Sequence, residues 1–297
     1  MSATQTSNNV PEIRTDATKR SSAWVAAFRT PAGIIGLILM AVVLGLALLA
    51  TFGLTPYDPA EQDVSQSLLG PSSAHWFGTD QFGRDVFSRV CSGLANSLRV
   101  AVVSVAAAAI VGVLLGVLAG YYQGLLDRGV GIITNVLFAF PSLLLALALA
   151  ATLKRSWVTV ALAIAVVYLP IFARVARGPV LTLRNAEYVM ASTAIGRSRL
   201  STLFAHVLPN MSGILVVQVT LSLSWAILTE ASLSFLGFGT PPPAASLGGM
   251  VYDAQTLVSV APWMLFAPGA ALILAVIGLN LLGDSLRAAL DPKTGGR

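Results

Sequence analysis

The chain has 297 residues and a formal net charge of +5, and it is 56% apolar but only 10% charged. A soluble domain carries about a quarter of its residues charged, so this composition excludes an ordinary water-soluble fold and makes lipid the surroundings of most side chains. A lone Cys91 excludes an internal disulfide, and His75 and His206 are too few for a His/Cys metal cluster.

In chain order, residues 1–30 come first. Their opening stretch is rich in Ser, Thr and Asn and has too little apolar area to order itself, so they are expected to form a cytoplasmic N-terminal tail. An apolar run of about twenty residues crosses a hydrocarbon core of roughly 30 Å as a helix. Six such runs are predicted, at about 32–53, 98–121, 130–153, 158–173, 211–236 and 263–283. The first is longer than a secretory signal core and lacks an A-x-A exit. Open sheets leave backbone groups unpaired in lipid, so the expected fold class is an all-α integral membrane protein with six transmembrane helices.

Six spans put both termini on one side. Arg14, Lys19, Arg20, Arg29, Arg128, Arg174, Arg177, Arg184, Arg197, Arg199, Arg287, Lys293 and Arg297 fall on that side, against Arg84, Arg89, Arg99, Lys154 and Arg155 on the other. Cytoplasmic loops carry the Lys/Arg excess, so the termini and the loop between spans four and five are expected in the cytoplasm. The positive charge then reflects topology rather than nucleic-acid binding.

Between the first two spans, Gly78 to Asp85 combines turn residues with paired opposite charges, which suits either docking of an external protein or bracing of the bundle. Bracing is the favoured reading. In the second span Ser104, Ala108, Gly112, Gly116 and Gly120 recur every four residues. Small residues on one stripe let helix backbones approach closely in lipid, against this chain or another. Pro141 and Pro170 are expected to bend spans three and four. The fifth span holds many hydroxyls, which either line a water-filled path or bond to the preceding turn. Gln218, Ser222, Ser224 and Glu230 are the candidate path residues; Glu230 is an ionisable group near a span and hence a functional candidate, although near the outer end it is also within reach of water.

The loop EYVMASTAIGRSRLSTLFAHVLPN is too polar to cross and too periodic for an idle linker. It reads as two short amphipathic helices. Met190, Ala191, Ala194 and Ile195 share a face of the first, and Leu200, Leu203, Phe204, Val207 and Leu208 share a face of the second. Gly196 separates them, a residue that tolerates positive φ, and Pro209 closes the unit. With Arg197 and Arg199 on the other side, the knob fits a groove in a cytoplasmic partner or lies flat on anionic headgroups.

This loop resembles the cytoplasmic signature of binding-protein-dependent ABC importer permeases: Glu-Ala-Ala, three residues, Gly, nine residues, then Ile-x-Leu-Pro. Met190-Ala191-Ser192, Gly196 and His206-Val207-Leu208-Pro209 occupy those places without a gap. Met190 stands where the pattern has Glu, and His206 where it has Ile; Glu187, one turn earlier, is the candidate acidic group. Glu187, Tyr188, Leu200 and Phe204 complete the set assigned to motor coupling. HWFGTDQFGRDVFSRV, EASLSFLGFGTPPPAASLGGMV and NLLGDSLRAALDP narrow the resemblance to the C-type permeases of the dipeptide and oligopeptide family.

The resemblance implies a type I ABC importer permease fold: an external segment within 31–96, a five-helix core over 97–284 with its coupling loop at 178–210, and a cytoplasmic tail at 285–297. It also implies a bacterial cytoplasmic-membrane location, a homologous B-type permease partner, two ATPase subunits or one fused double ATPase, and an extracytoplasmic solute-binding protein. Family cargoes include dipeptides, longer peptides, glutathione and nickel complexes. The chain has no G-x-x-x-x-G-K-[ST] phosphate loop, so ATP and Mg are expected on the partner ATPases, with no cofactor, catalytic residue or metal site in this chain. A secondary carrier would need ionisable groups at mid-membrane, and the span centres offer almost none.

Overall fold

In the computed structural model, residues 28–290 are described; the expectations for residues 1–27 and 291–297 lie outside them. Among the described residues the regular elements are helices, with a lone antiparallel bridge between Thr79 and Asp85. Five helices are long and apolar enough to cross a membrane, or six if one bent pair counts as a span.

Helix α1, Pro31–Thr51, starts where Thr30 accepts a hydrogen bond from the Gly33 amide at 3.0 Å, the usual satisfaction of an orphan N-terminal donor. Its buried Gly36, Met40, Val43 and Ala47 form one stripe against the bundle, while Ile35, Ile38 and Leu48 point outward.

Helix α2, Val86–Tyr122, is the axis of the fold and starts well before the apolar run that predicts it. At 1.5 Å per residue it is about 55 Å long, so its first turns stand outside the hydrocarbon. The Asp85 carboxylate sets that start by accepting from the Ser88 amide and hydroxyl, at 2.8 and 2.7 Å. The small-residue stripe packs within this chain, against α5, Trp157–Leu183. A Cβ on Gly112 would lie 2.6 Å from the Leu169 carbonyl oxygen, and one on Gly116 would overlap the Ala173 carbonyl.

The third span departs from expectation. Instead of one bent helix it is two, α3, Gly124–Ala139, and α4, Ser142–Thr152, meeting at 93°. Pro141 supplies no amide hydrogen and forces Phe140 into extended backbone (ψ 137°), the conformation favoured before proline. In α5, by contrast, Pro170 and Pro179 lie inside a helix that runs on to Leu183, beyond the predicted end of span four.

After α6, Glu187–Ala194, the chain forms α7, Arg199–Thr202, a π-helical turn at Leu203–Val207, and α8, Leu208–Phe235. Pro209 is expected to close the knob, but it follows the π-helical turn directly, at the second residue of α8, and the helix runs on through it. The second knob helix therefore runs into span five as one continuous element from Arg199 to Phe235. A short α9, Leu247–Ala254, precedes α10, Trp263–Leu290, which runs on through residues 285–290.

Outside the bundle, residues 54–85 fold into a braced head. Asp80 accepts from the Phe82 and Arg84 amides at 2.9 and 3.0 Å and from Arg84 Nε at 2.7 Å, with Arg89 Nε 3.5 Å away. His75 bridges Asp85 Oδ1 at 2.9 Å and Gln66 Oε1 at 2.7 Å. Trp263 donates to the Thr79 carbonyl at 3.0 Å, which ties the head to α10. Asp80, Arg84, Asp85 and Arg89 are all buried, the environment of braces rather than of an open docking surface. Nearby, burial pushes the Asp253 carboxyl above its usual range, against the pull of Arg84 and Arg89.

Candidate functional site: the knob and the cavity above it

The knob begins with local chain chemistry. At the end of α6, Gly196 adopts φ +85°, and its amide and that of Arg197 return to the Thr193 and Ser192 carbonyls at 3.1 and 3.2 Å. This left-handed closure is the one glycine favours. Ser198 then caps α7 through the Ser201 amide at 3.3 Å. A buried Ser192–Thr202 hydroxyl pair, 3.3 Å apart, pins the two helices together.

The faces divide differently from the periodicity reading. Val189, Ser192, Thr202, Leu203 and Val207 turn inward, where the apolar ones meet Val117 of α2 and Ala176 and Val180 of α5. Tyr188, Met190, Ala191, Ile195, Leu200 and Phe204 turn outward; Ile195 is 84% exposed and Phe204 62%. The predicted single face of the second helix is thus split: Leu203 and Val207 serve the bundle, with Leu208 half-buried beside them, while Leu200 and Phe204 face away. Periodicity finds apolar positions but does not say which of two neighbours covers them.

The two departures from the signature are both placed. Met190 lies on the exposed face. His206 accepts from Arg197 Nη1 at 3.1 Å, and its ring meets Tyr188 edge-on with centroids 6.2 Å apart; Asn210 donates to the Tyr188 hydroxyl at 3.2 Å. Glu187 is exposed in the first turn of α6, where negative charge complements the helix dipole. Arg197 also donates to Ser201 at 2.8 Å, and Arg199 stacks near Tyr122.

Farther along the bundle, a cavity of about 340 Å³ opens beside the 93° break. Gln218 and Ser222 lie on its wall together with Ser142, Phe138, Phe140, Tyr168 and Trp225. The other two candidate path residues lie elsewhere. Ser224 is turned into the bundle and donates to Asn280 Oδ1 at 2.7 Å. Glu230, expected to be within reach of water, is 0% exposed; Ser97 of α2 and Ser234 donate to its carboxylate at 2.6 and 2.7 Å. A fully buried carboxyl held by two hydroxyls acts here as a strut between α2 and α8. Sequence reading passed over the aromatic wall, although Phe138 and Phe140 lie just before the span-breaking Pro141.

A membrane bundle whose loop between two long apolar helices projects apolar side chains offers a surface on which another protein can act, and residues 112–296 match the family model for a binding-protein-dependent transport system inner membrane component. The chain belongs to that family.

The permease is 42% identical to the dipeptide transport system permease protein DppC of Alkalihalophilus pseudofirmus over 276 residues, 92% of its own length and 90% of the relative's. It is 41% identical to the glutathione transport system permease protein GsiD of Pectobacterium atrosepticum, over 88% and 86% of the two chains. The oligopeptide transport system permease protein OppC of Bacillus subtilis is 37% identical over 88% of the permease and 85% of its own length. In fold, the permease resembles an inward-facing MetNI methionine ABC transporter with a TM-score of 0.56 at 20% identity, over 68% of the permease and 96% of that chain. It is a multi-pass transmembrane subunit of an ABC importer, with a transport role rather than an enzymatic one.

Proposed function

We propose that this permease forms half of a translocation path for di- and oligopeptides in a bacterial cytoplasmic membrane, paired with a homologous B-type permease. Two ATPase subunits, or one fused double ATPase, grip the knob from the cytoplasm and supply ATP and Mg, while an extracytoplasmic solute-binding protein delivers cargo. Both termini lie in the cytoplasm under this reading, in accord with the Lys/Arg distribution. One observation carries it: the knob presents Met190, Ile195, Leu200 and Phe204 outward while Val189, Leu203 and Val207 are packed on α2 and α5. A push on the outer face therefore reaches the helices that wall the cavity. Dipeptide and oligopeptide relatives favour peptide cargo; the glutathione relative supports glutathione, itself a peptide, as the second reading.

The test is co-expression with the neighbouring permease and ATPases, then purification and reconstitution. Phe204→Asp places a charge in an apolar contact, and ATPase recovery with the permease is expected to fall at least about tenfold. Unchanged recovery overturns the knob assignment. Gly196→Val addresses coupling instead of binding. No side chain stands within 4 Å of a Cβ there, so the cost is the left-handed backbone, about 1–2 kcal/mol or more for a β-branched residue. ATP hydrolysis should persist while peptide uptake falls about tenfold or more; equal uptake would remove the lever.

A further inference from the structure

We infer that Gln218 and Trp225 form a reader of peptide backbone amides on the cavity wall, seating an extended, uncharged stretch of the cargo. The inference rests on the peptide reading above and adds the chemistry by which this chain holds its cargo in passage. Gln218 Nε2 donates to Ser222 Oγ at 3.1 Å, which orients the amide, and among the described residues no donor reaches its carbonyl oxygen. The Trp225 indole lies on the same wall, 62% exposed, with no described acceptor for its N–H. One wall thus offers a free acceptor and a free donor.

Residues 218 and 225 are seven apart on one helix, so they share a face and stand about 10 Å apart along its axis. An extended chain advances 3.3–3.6 Å per residue, so the spacing matches roughly three residues of peptide. A peptide amide presents an N–H and a C=O, the complements of the two free groups. The wall carries no Asp, Glu, Lys, Arg or His, so nothing there receives a charged terminus or side chain. Phe138 and Tyr168 give apolar flanks, and the Tyr168 hydroxyl is engaged with Thr229 at 3.2 Å. A volume of about 340 Å³ is within the range of small-ligand sites, about 300–1,000 Å³.

The experiment uses the complete reconstituted importer with its binding protein and trialanine as probe. Gln218→Leu removes the carbonyl at similar bulk, and Trp225→Phe removes the N–H while keeping a ring. Each is expected to lower the maximal uptake rate about tenfold with the half-saturating concentration, set by the binding protein, unmoved; Gln218→Asn should recover part of the loss. Wild-type uptake of trialanine with no effect of either variant overturns the amide reader alone. So does failure of the variants to assemble with the second permease, because the wall is then a subunit contact. Wild-type importer that binds and moves no alanine peptide overturns the peptide assignment itself, and the reader with it.

Discussion

Gly116→Leu is expected to abolish the folded permease. In lipid, helices hold together by close backbone contact rather than by hiding apolar surface, and α2 meets α5 through Gly112, Gly116 and Gly120. At Gly116 even a methyl group would overlap the Ala173 carbonyl, which is backbone and cannot swing aside. Overpacking a well-fitted interior costs about 1–3 kcal/mol per insertion, and a leucine against main chain exceeds that. The measurement is the yield of monodisperse protein in detergent and its midpoint of thermal unfolding. Gly129→Ala in α3, where a Cβ has open space, is the control and should leave both within error or slightly improved. Normal yield and unfolding for Gly116→Leu would mean that α2 and α5 do not pack through this stripe.

Removing Asp80 should have the second largest effect on stability. Its carboxylate satisfies two backbone amides and faces the buried guanidinium groups of Arg84 and Arg89. Breaking a buried ion pair by deleting one partner costs about 3–5 kcal/mol, because the charge left behind is uncompensated. Asp80→Ala is therefore expected to destabilise the braced head and lower the unfolding midpoint of the complex. Asp80→Asn, which keeps an acceptor for the amides, should lose less. Affinity of the surviving complex for the binding protein is the discriminating measurement. If that affinity falls while the unfolding midpoint holds, Asp80 belongs to a docking surface and the bracing account is wrong.

Much of this was legible in the chain because lipid imposes a length rule and a polarity rule on every span. The apolar runs gave the helices, the four-residue repeat at Ser104 to Gly120 marked the packing stripe, and Gly196 marked the turn of the knob. Where prediction slipped, two short-range signals competed. Pro141 breaks its span through 93° whereas Pro170 stays inside a helix, and the residue pattern around either proline does not say whether the helix will be interrupted there. Pro209 has the pattern of a stop, yet it follows a π-helical turn directly and the helix runs on through it to Phe235.

The sequence by itself determined that this chain lives in a membrane, that it spans repeatedly as helices, and that a short helical unit with glycine at its centre joins spans four and five, since those features depend on local composition and spacing. Only the tertiary structure decided that Glu230 is sealed between α2 and α8, that Leu203 and Val207 turn inward while Leu200 and Phe204 turn out, and that Gln218 shares a cavity with Trp225. Each of those depends on which distant segment covers a side chain. Periodicity sorts residues onto helix faces; packing alone decides what each face meets.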